Sequence, residues 1–149
     1  MPKISIVIPA YNVGDYLQEC LDSVRNQTFS DIEAIVVNDA SPDNVAQIAA
    51  QAAAEDPRIH VVTNNPNMGT HRTRMAGVEN ATGDYTFFLD GDDALKPDMC
   101  EQLAAQIDEH PVDVLHYGLT VVAANALLEN ERQAFETFNN TPTSDSTGE

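Results

Sequence analysis

The chain has 149 residues, 42% of them hydrophobic, and its 24 acidic side chains against 7 basic ones give a formal net charge of −17. This length suits one domain with a proper core, and the negative excess argues against nucleic acid and anionic membrane surfaces as partners, since both are polyanions. No run approaches the ~20 apolar residues of a membrane span. The N-terminus leads straight into a strand pattern without a signal-peptide cleavage site, and Cys20 and Cys100, two lone cysteines with no CxxC spacing, fit a reduced, cytoplasmic protein.

Residues 4–8 are a short apolar run closed by Pro9 and predict a buried strand. Over residues 13–27, Leu17, Cys20, Leu21 and Val24 recur at i, i+3, i+4 and i+7, the spacing of a helix face. Asn12 and Asp15 stand as a capping box at its start. Residues 32–37 give a second strand, after which Ser41-Pro42 suits an N-cap with proline at the first helical position. Val45, Ile48, Ala49 and Ala52 form the apolar face of that helix, and Pro57 ends it. A weaker strand at 58–62 is followed by a helix at 70–81, the turn Ala81-Thr82-Gly83-Asp84 and a fourth strand at 85–89. Lys96-Pro97-Asp98 opens a helix bearing Cys100, Leu103, Ala104 and Ile107, and residues 112–117 read as a fifth strand. Such alternation predicts an α/β fold with right-handed crossovers and a mainly parallel sheet flanked by helices. After Gly118 the pattern weakens: a strand at 119–123, a helix at 126–138, then 139–149 with the composition of a disordered tail or linker. The division expected is a domain over 1–118 and a poorly defined extension over 119–149.

In open α/β sheets ligands bind outside the carboxyl ends of the strands. The first strand ends in Pro9-Ala10-Tyr11-Asn12, the second in Asn38-Asp39-Ala40-Ser41 and the fourth in Asp90-Gly91-Asp92-Asp93, so all three clusters fall on one sheet edge. Three carboxylates within four residues raise one another's pKa and destabilise the fold unless a cation sits among them. Mg²⁺ or Mn²⁺ is held by carboxylate oxygens while keeping positions open for water and phosphate. An acidic turn in which Asp92 or Asp93 caps the next helix is the structural alternative. Tyr11 offers a ring for stacking on a base, and Asp39 an acceptor for a base imide N–H or a ribose hydroxyl; packing and helix capping are the plainer roles. There is no GxGxxG and no GxxxxGK[ST]. A diphosphate would therefore rest on a carboxylate-held metal, with Arg72 and Arg74 at the start of the third helix, where the helix dipole also favours anions. His71 is a lesser candidate there, and the four histidines show no metal-ligand spacing.

Residues 6–12, Ile-Val-Ile-Pro-Ala-Tyr-Asn, with Cys20-Leu21-Asp22-Ser23-Val24 and Asn26-Gln27-Thr28, resemble the opening of the family-2 glycosyltransferases of GT-A fold. Asp39-Ala40-Ser41-Pro42-Asp43 is similar to that family's DDGSxD segment. Asn67-Met68-Gly69 through Arg74-Met75-Ala76-Gly77 is similar to its N-x-G…A-R-N-x-G segment, and Ala81-Thr82-Gly83-Asp84-Tyr85 with Leu89-Asp90-Gly91-Asp92-Asp93 to its A-T-G-E-Y…L-D-x-D-D stretch. The resemblance implies a Rossmann-like GT-A sandwich, truncated relative to the family. It further implies inverting transfer of a sugar from a nucleotide diphosphate sugar, with a UDP-sugar favoured, to a glycan or lipid-linked acceptor. It places the nucleotide at Pro9, Ala10, Tyr11, Asn12, Asp39, Arg74 and Asp90, and a Mn²⁺ or Mg²⁺ ion at Asp92 and Asp93. In the full-length protein it allows a peripheral position at the inner face of the membrane.

Two departures stand out. Asn38 replaces the first Asp of the DDGS segment, and Thr73 and Met75 flank Arg74 where Ala and Asn are usual. Family members carry their catalytic base and acceptor surface after the DxD motif, whereas Glu129, Glu131 and Glu136 read as the exposed side of a helix. The base is therefore expected outside this chain, which would supply the donor- and metal-binding half and transfer no sugar by itself. A nucleotide-sugar-binding module without transfer activity is the alternative. A receiver-type signalling domain is disfavoured, because Ala10-Tyr11 and Tyr117-Gly118 stand where it needs paired acids and a lysine.

Overall fold

The computed structural model describes residues 3–118. Two compact units divide the chain, residues 1–111 and 112–149. The first is built from β1 (Ile4–Ala10), α1 (Gly14–Arg25), β2 (Ile32–Asn38), α2 (Val45–Glu55), β3 (Ile59–Thr63), α3 (Thr70–Asn80), β4 (Tyr85–Phe88) and α4 (Met99–Glu109). All pairings are parallel, in the order β3-β2-β1-β4. Ile4 registers with Ile32 on one side and Tyr85 on the other. The α/β sandwich read from the alternation of elements is thus the one observed.

The order follows from burial. Among the described residues, β1 and β2 are the only strands whose side chains are hidden on both faces almost without interruption, as expected of central parallel strands. Ile6, Val7, Ile8, Ile35, Val36 and Val37 are all fully buried, each worth about 1.5–3 kcal/mol relative to an exposed side chain. α1 contributes Leu17, Cys20, Leu21 and Val24 and α4 contributes Cys100, Leu103, Ala104 and Ile107, the residues their helical spacing had singled out. α3 approaches β1 closely enough that a Cβ at Gly77 would come within 2.2 Å of the Val7 Cγ1, so only glycine fits there. From β1 the chain steps outward through β2 to β3, then returns to β1's other side as β4. This reversal makes the carboxyl ends of β1 and β4 a topological switch point, where open sheets form ligand crevices.

Three local expectations need correction. Residues 112–118 form neither helix nor strand: Val114 remains 69% exposed, so the apolar alternation there gains too little burial to order a fifth strand. Asn12 and Asp15 make no capping box, since α1 follows an N-cap at Val13 that lacks a side-chain bond. The Gly14 N–H is satisfied instead from 29 residues away, by the Asp43 carboxylate at 2.8 Å. The second helix starts at Val45 rather than at Pro42, with Asp43 accepting from the Val45 N–H at 3.2 Å. The strand at 119–123 and the helix at 126–138 lie outside the described residues.

Candidate functional site

Two residues beyond β1 and β2 stand non-glycine residues with left-handed backbone, Asn12 and Ala40, both at φ 55°. Such a conformation costs an alanine roughly 1–2 kcal/mol and persists only where its surroundings hold it. Here they do. The Asn12 N–H donates to the Ser41 Oγ (2.9 Å), which in turn donates to the Asp43 carboxylate (2.6 Å). The Ser41 N–H is fixed by the Asn38 Oδ1 (3.0 Å), so asparagine at this position still serves the turn. The Ser41 hydroxyl holds the Asp43 carboxyl below the usual carboxylate range, with the Gly14 and Val45 N–H groups adding to it against a smaller opposing effect of burial. This clasp presents Tyr11, 48% exposed, at the mouth of a cleft.

Asp39 is 3% exposed. Its Oδ1 accepts from the Asn64 Nδ2 (2.9 Å) and the Met68 N–H (2.8 Å), and its Oδ2 from the Gly69 N–H (3.0 Å). Burial alone would push this carboxyl up, but these donors outweigh it and hold it below its ordinary value. The Asp39 carbonyl also accepts from the Asn67 Nδ2 (3.0 Å). A carboxylate has about four acceptor positions, so three are taken by the segment that leads into α3. The buried Thr73 completes the cluster, donating to the Gly69 carbonyl (2.8 Å) and accepting from Asn64 (3.3 Å). The sequence offered Asp39 as a group open to a ligand. The structure shows it chiefly as the anchor of residues 64–69.

Across the cleft the carboxylates behave differently. Asp90 pairs with Arg74 at 2.9 Å, both partly exposed. The Arg74 guanidinium lies 5.5 Å from the centroid of the Phe88 ring, and its Nε is buried without a hydrogen-bond partner. Gly91 lets this turn press on the end of β1, where a Cβ would come within 2.8 Å of the Val13 Cγ2 and 3.3 Å of the Pro9 carbonyl oxygen. The Asp93 N–H donates to the Asp90 carbonyl (2.9 Å). Burial raises the Asp93 carboxyl, and the neighbouring charges of Asp92 and Asp90 raise it further. Among the described residues no set of three metal-ligating side chains converges.

The cleft has a volume of about 500 Å³. Pro9, Ala10, Tyr11 and Val13 line it from the end of β1, Asp39 from β2, Asn67, Gly69, Thr70, Thr73 and Arg74 from α3 and its approach, and Asp90, Gly91 and Asp92 from beyond β4. Seven of the expected residues, Pro9, Ala10, Tyr11, Asp39, Arg74, Asp90 and Asp92, therefore meet in one place. Asn12 and Asp93 adjoin it without lining it, and His71 and Arg72 are exposed outside the lining. Sequence reasoning gave no site role to Asn67, Gly69, Thr70 and Thr73, which form one wall, although all four lay inside the segment already singled out and Thr73 was noted there as a departure.

Over residues 5–146 the chain matches the family model described as Glycosyl transferase family 2. EpsJ, an uncharacterized glycosyltransferase of Bacillus subtilis (strain 168), is 39% identical over 118 residues, 79% of this chain and 34% of EpsJ. Chondroitin synthase of Pasteurella multocida (strain Pm70) is 41% identical over 101 residues, 68% of this chain and 10% of that protein. Among solved structures, S. aureus TarS 1-349 in complex with UDP-GlcNAc superposes with a TM-score of 0.78 at 30% identity, covering 85% of this chain and 37% of that one. The chain thus spans about a third of the length of EpsJ and of that TarS structure.

Proposed function

The chain belongs to glycosyl transferase family 2, and from that premise we propose that residues 3–118 bind the donor, a nucleotide diphosphate sugar with uridine as the favoured nucleoside, for an inverting transfer to a glycan or lipid-linked acceptor. One observation carries this reading. A half-exposed aromatic ring, the Arg74–Asp90 pair and Asp92, whose side chain accepts no hydrogen bond among the described residues, share one cleft at the switch point of a parallel sheet, with Asp93 beside it. Likeness to TarS, which has been crystallised with UDP and with UDP-GlcNAc, supports uridine.

In this reading Tyr11 stacks on the base, while the end of β2 at Asp39 and the turn at Ala40 define the base's edge. Arg74 gives up Asp90 for the diphosphate, which frees Asp90 for the ribose. Residues 92 and 93 fit a divalent ion, since their side chains accept no hydrogen bond among the described residues and Asp93 is destabilised as an anion. Mg²⁺ and Mn²⁺ need only one or two protein carboxylates when phosphate oxygens complete the shell. When bound, Mn²⁺ or Mg²⁺ would neutralise charge on the diphosphate leaving group. Every carboxylate lining the cleft then has a role in donor binding, so no acceptor base is assigned to residues 3–118.

Thermal melts of the chain with uridine diphosphate test this. At ~100 times its dissociation constant the nucleotide stabilises the fold by roughly 2.7 kcal/mol with Mn²⁺ present, and EDTA abolishes the effect. Equal stabilisation in chelator rejects the metal, and no stabilisation in either condition rejects the donor site.

A further inference from the structure

The ten residues between β4 and α4, 89–98, carry the carboxylates yet contain no helix or strand. Segments bearing like charges spread apart unless something outside holds them. Their support comes from α1 and the three residues that follow it, 26–28. The Gln27 side chain, 8% exposed, uses its whole amide: Nε2 donates to the carbonyls of Lys96 (2.7 Å) and Ser23 (3.1 Å), and Oε1 accepts from the Cys100 N–H (2.9 Å). That last bond satisfies one of the orphan donors at the start of α4, where Asp98 sits at the N-cap without capping. The Ser23 Oγ accepts from the Leu95 N–H (3.0 Å) while donating to the Cys20 carbonyl (2.6 Å). The Thr28 N–H donates to the Pro97 carbonyl (2.9 Å). On the near side of the carboxylates, the Cys20 thiol lies 3.7 Å from the Asp90 carbonyl. Burial, with the charges of Asp93, Asp92 and Asp90 behind it, pushes this thiol up to about 12, so it remains a neutral donor.

We propose that Gln27 and Ser23 are positioning residues for the Asp90–Asp93 carboxylates, holding the far flank of their loop to the end of α1 so that Asp92 and Asp93 stay together when a cation binds. The inference rests on the reading of this cleft as a metal and nucleotide diphosphate site. It gives a task to the Asn26-Gln27-Thr28 segment, which none of the cleft-lining residues explains. Groups that orient metal-binding side chains typically change metal affinity by about 10–100-fold when removed.

The test compares the full chain with Gln27→Met, which keeps volume and loses all three bonds, and with the milder Ser23→Ala. Mn²⁺ affinity is read from the paramagnetic resonance of free Mn²⁺ at saturating uridine diphosphate. Uridine alone, which has no phosphate to reach the loop, is followed by amide chemical shifts in EDTA. In folded variants the Mn²⁺ dissociation constant rises about tenfold for Gln27→Met and less for Ser23→Ala, with uridine binding unchanged. Unchanged Mn²⁺ affinity, or an equal loss for Mn²⁺ and uridine, overturns the inference while leaving the site itself intact. If Gln27→Met fails to fold, Ser23→Ala decides by the same two readings. An unaltered chain that binds no Mn²⁺ with the nucleotide overturns the site and the inference together.

Discussion

The two sides of the cleft and its surround use the same residue type in opposite ways. At the end of β2, Asp39 and Asp43 each accept three hydrogen bonds from the protein, and both are held as anions below the ordinary carboxylate range. Beyond β4, Asp92 and Asp93 accept none through their side chains among the described residues, and Asp93 is pushed the other way. A carboxylate supplied with donors is part of the scaffold, and its charge has been compensated inside the fold. A carboxylate left among like charges stabilises nothing by itself and is completed only by a ligand. Proximity to the cleft does not separate the two kinds; the count of donors does.

Removing the scaffold carboxylate gives the largest effect. Asp39→Ala strands the Met68 and Gly69 N–H groups and the Asn64 amide, and each buried unsatisfied donor costs ~1–3 kcal/mol. Urea unfolding should show a loss of about 3 kcal/mol, allowing for water reaching part of the loop. A loss below about 0.5 kcal/mol would mean that Asp39 is as dispensable to the fold as the carboxylates opposite, and the contrast would be gone.

A smaller effect sharpens the same contrast from the backbone. The left-handed alanine at position 40 costs roughly 1–2 kcal/mol, while glycine there would add about 0.5–1 kcal/mol of unfolded-chain entropy. Ala40→Gly should therefore stabilise the protein by about 0.5 kcal/mol. Destabilisation by the same variant would show that the scaffold side stores no strain at this turn.

Most of the fold was legible because each element carries its own period. Leu17, Cys20, Leu21 and Val24 mark a helix face wherever that helix packs, and the apolar runs of β1 and β2 mark strands. Contacts between distant residues were not legible. The cap on α1 comes from Asp43, which lies outside any capping-box spacing, and Asn12 is turned left-handed by a bond to Ser41. In the site, the clusters at the strand ends announced themselves as charge and aromatic residues placed where open sheets bind ligands. The wall at 64–73 did not, since Asn64 and Thr73 are ordinary polar residues until Asp39 joins them. The strand expected at 112–117 had a pattern, but its side chains remain largely exposed, and pattern without burial does not hold a strand.

The central claim is that Asp92 and Asp93 await a cation and that Asp39 and Asp43 do not. Melting curves of the Asp92→Ala/Asp93→Ala double variant, alone and with Mn²⁺ and uridine diphosphate, test it most directly. The account predicts a ligand-free melting temperature equal to or above that of the unaltered chain, because mutual repulsion has been removed, and no upward shift when metal and nucleotide are added. A ligand-free drop of about 4 °C or more, together with a ligand shift that survives, would contradict it.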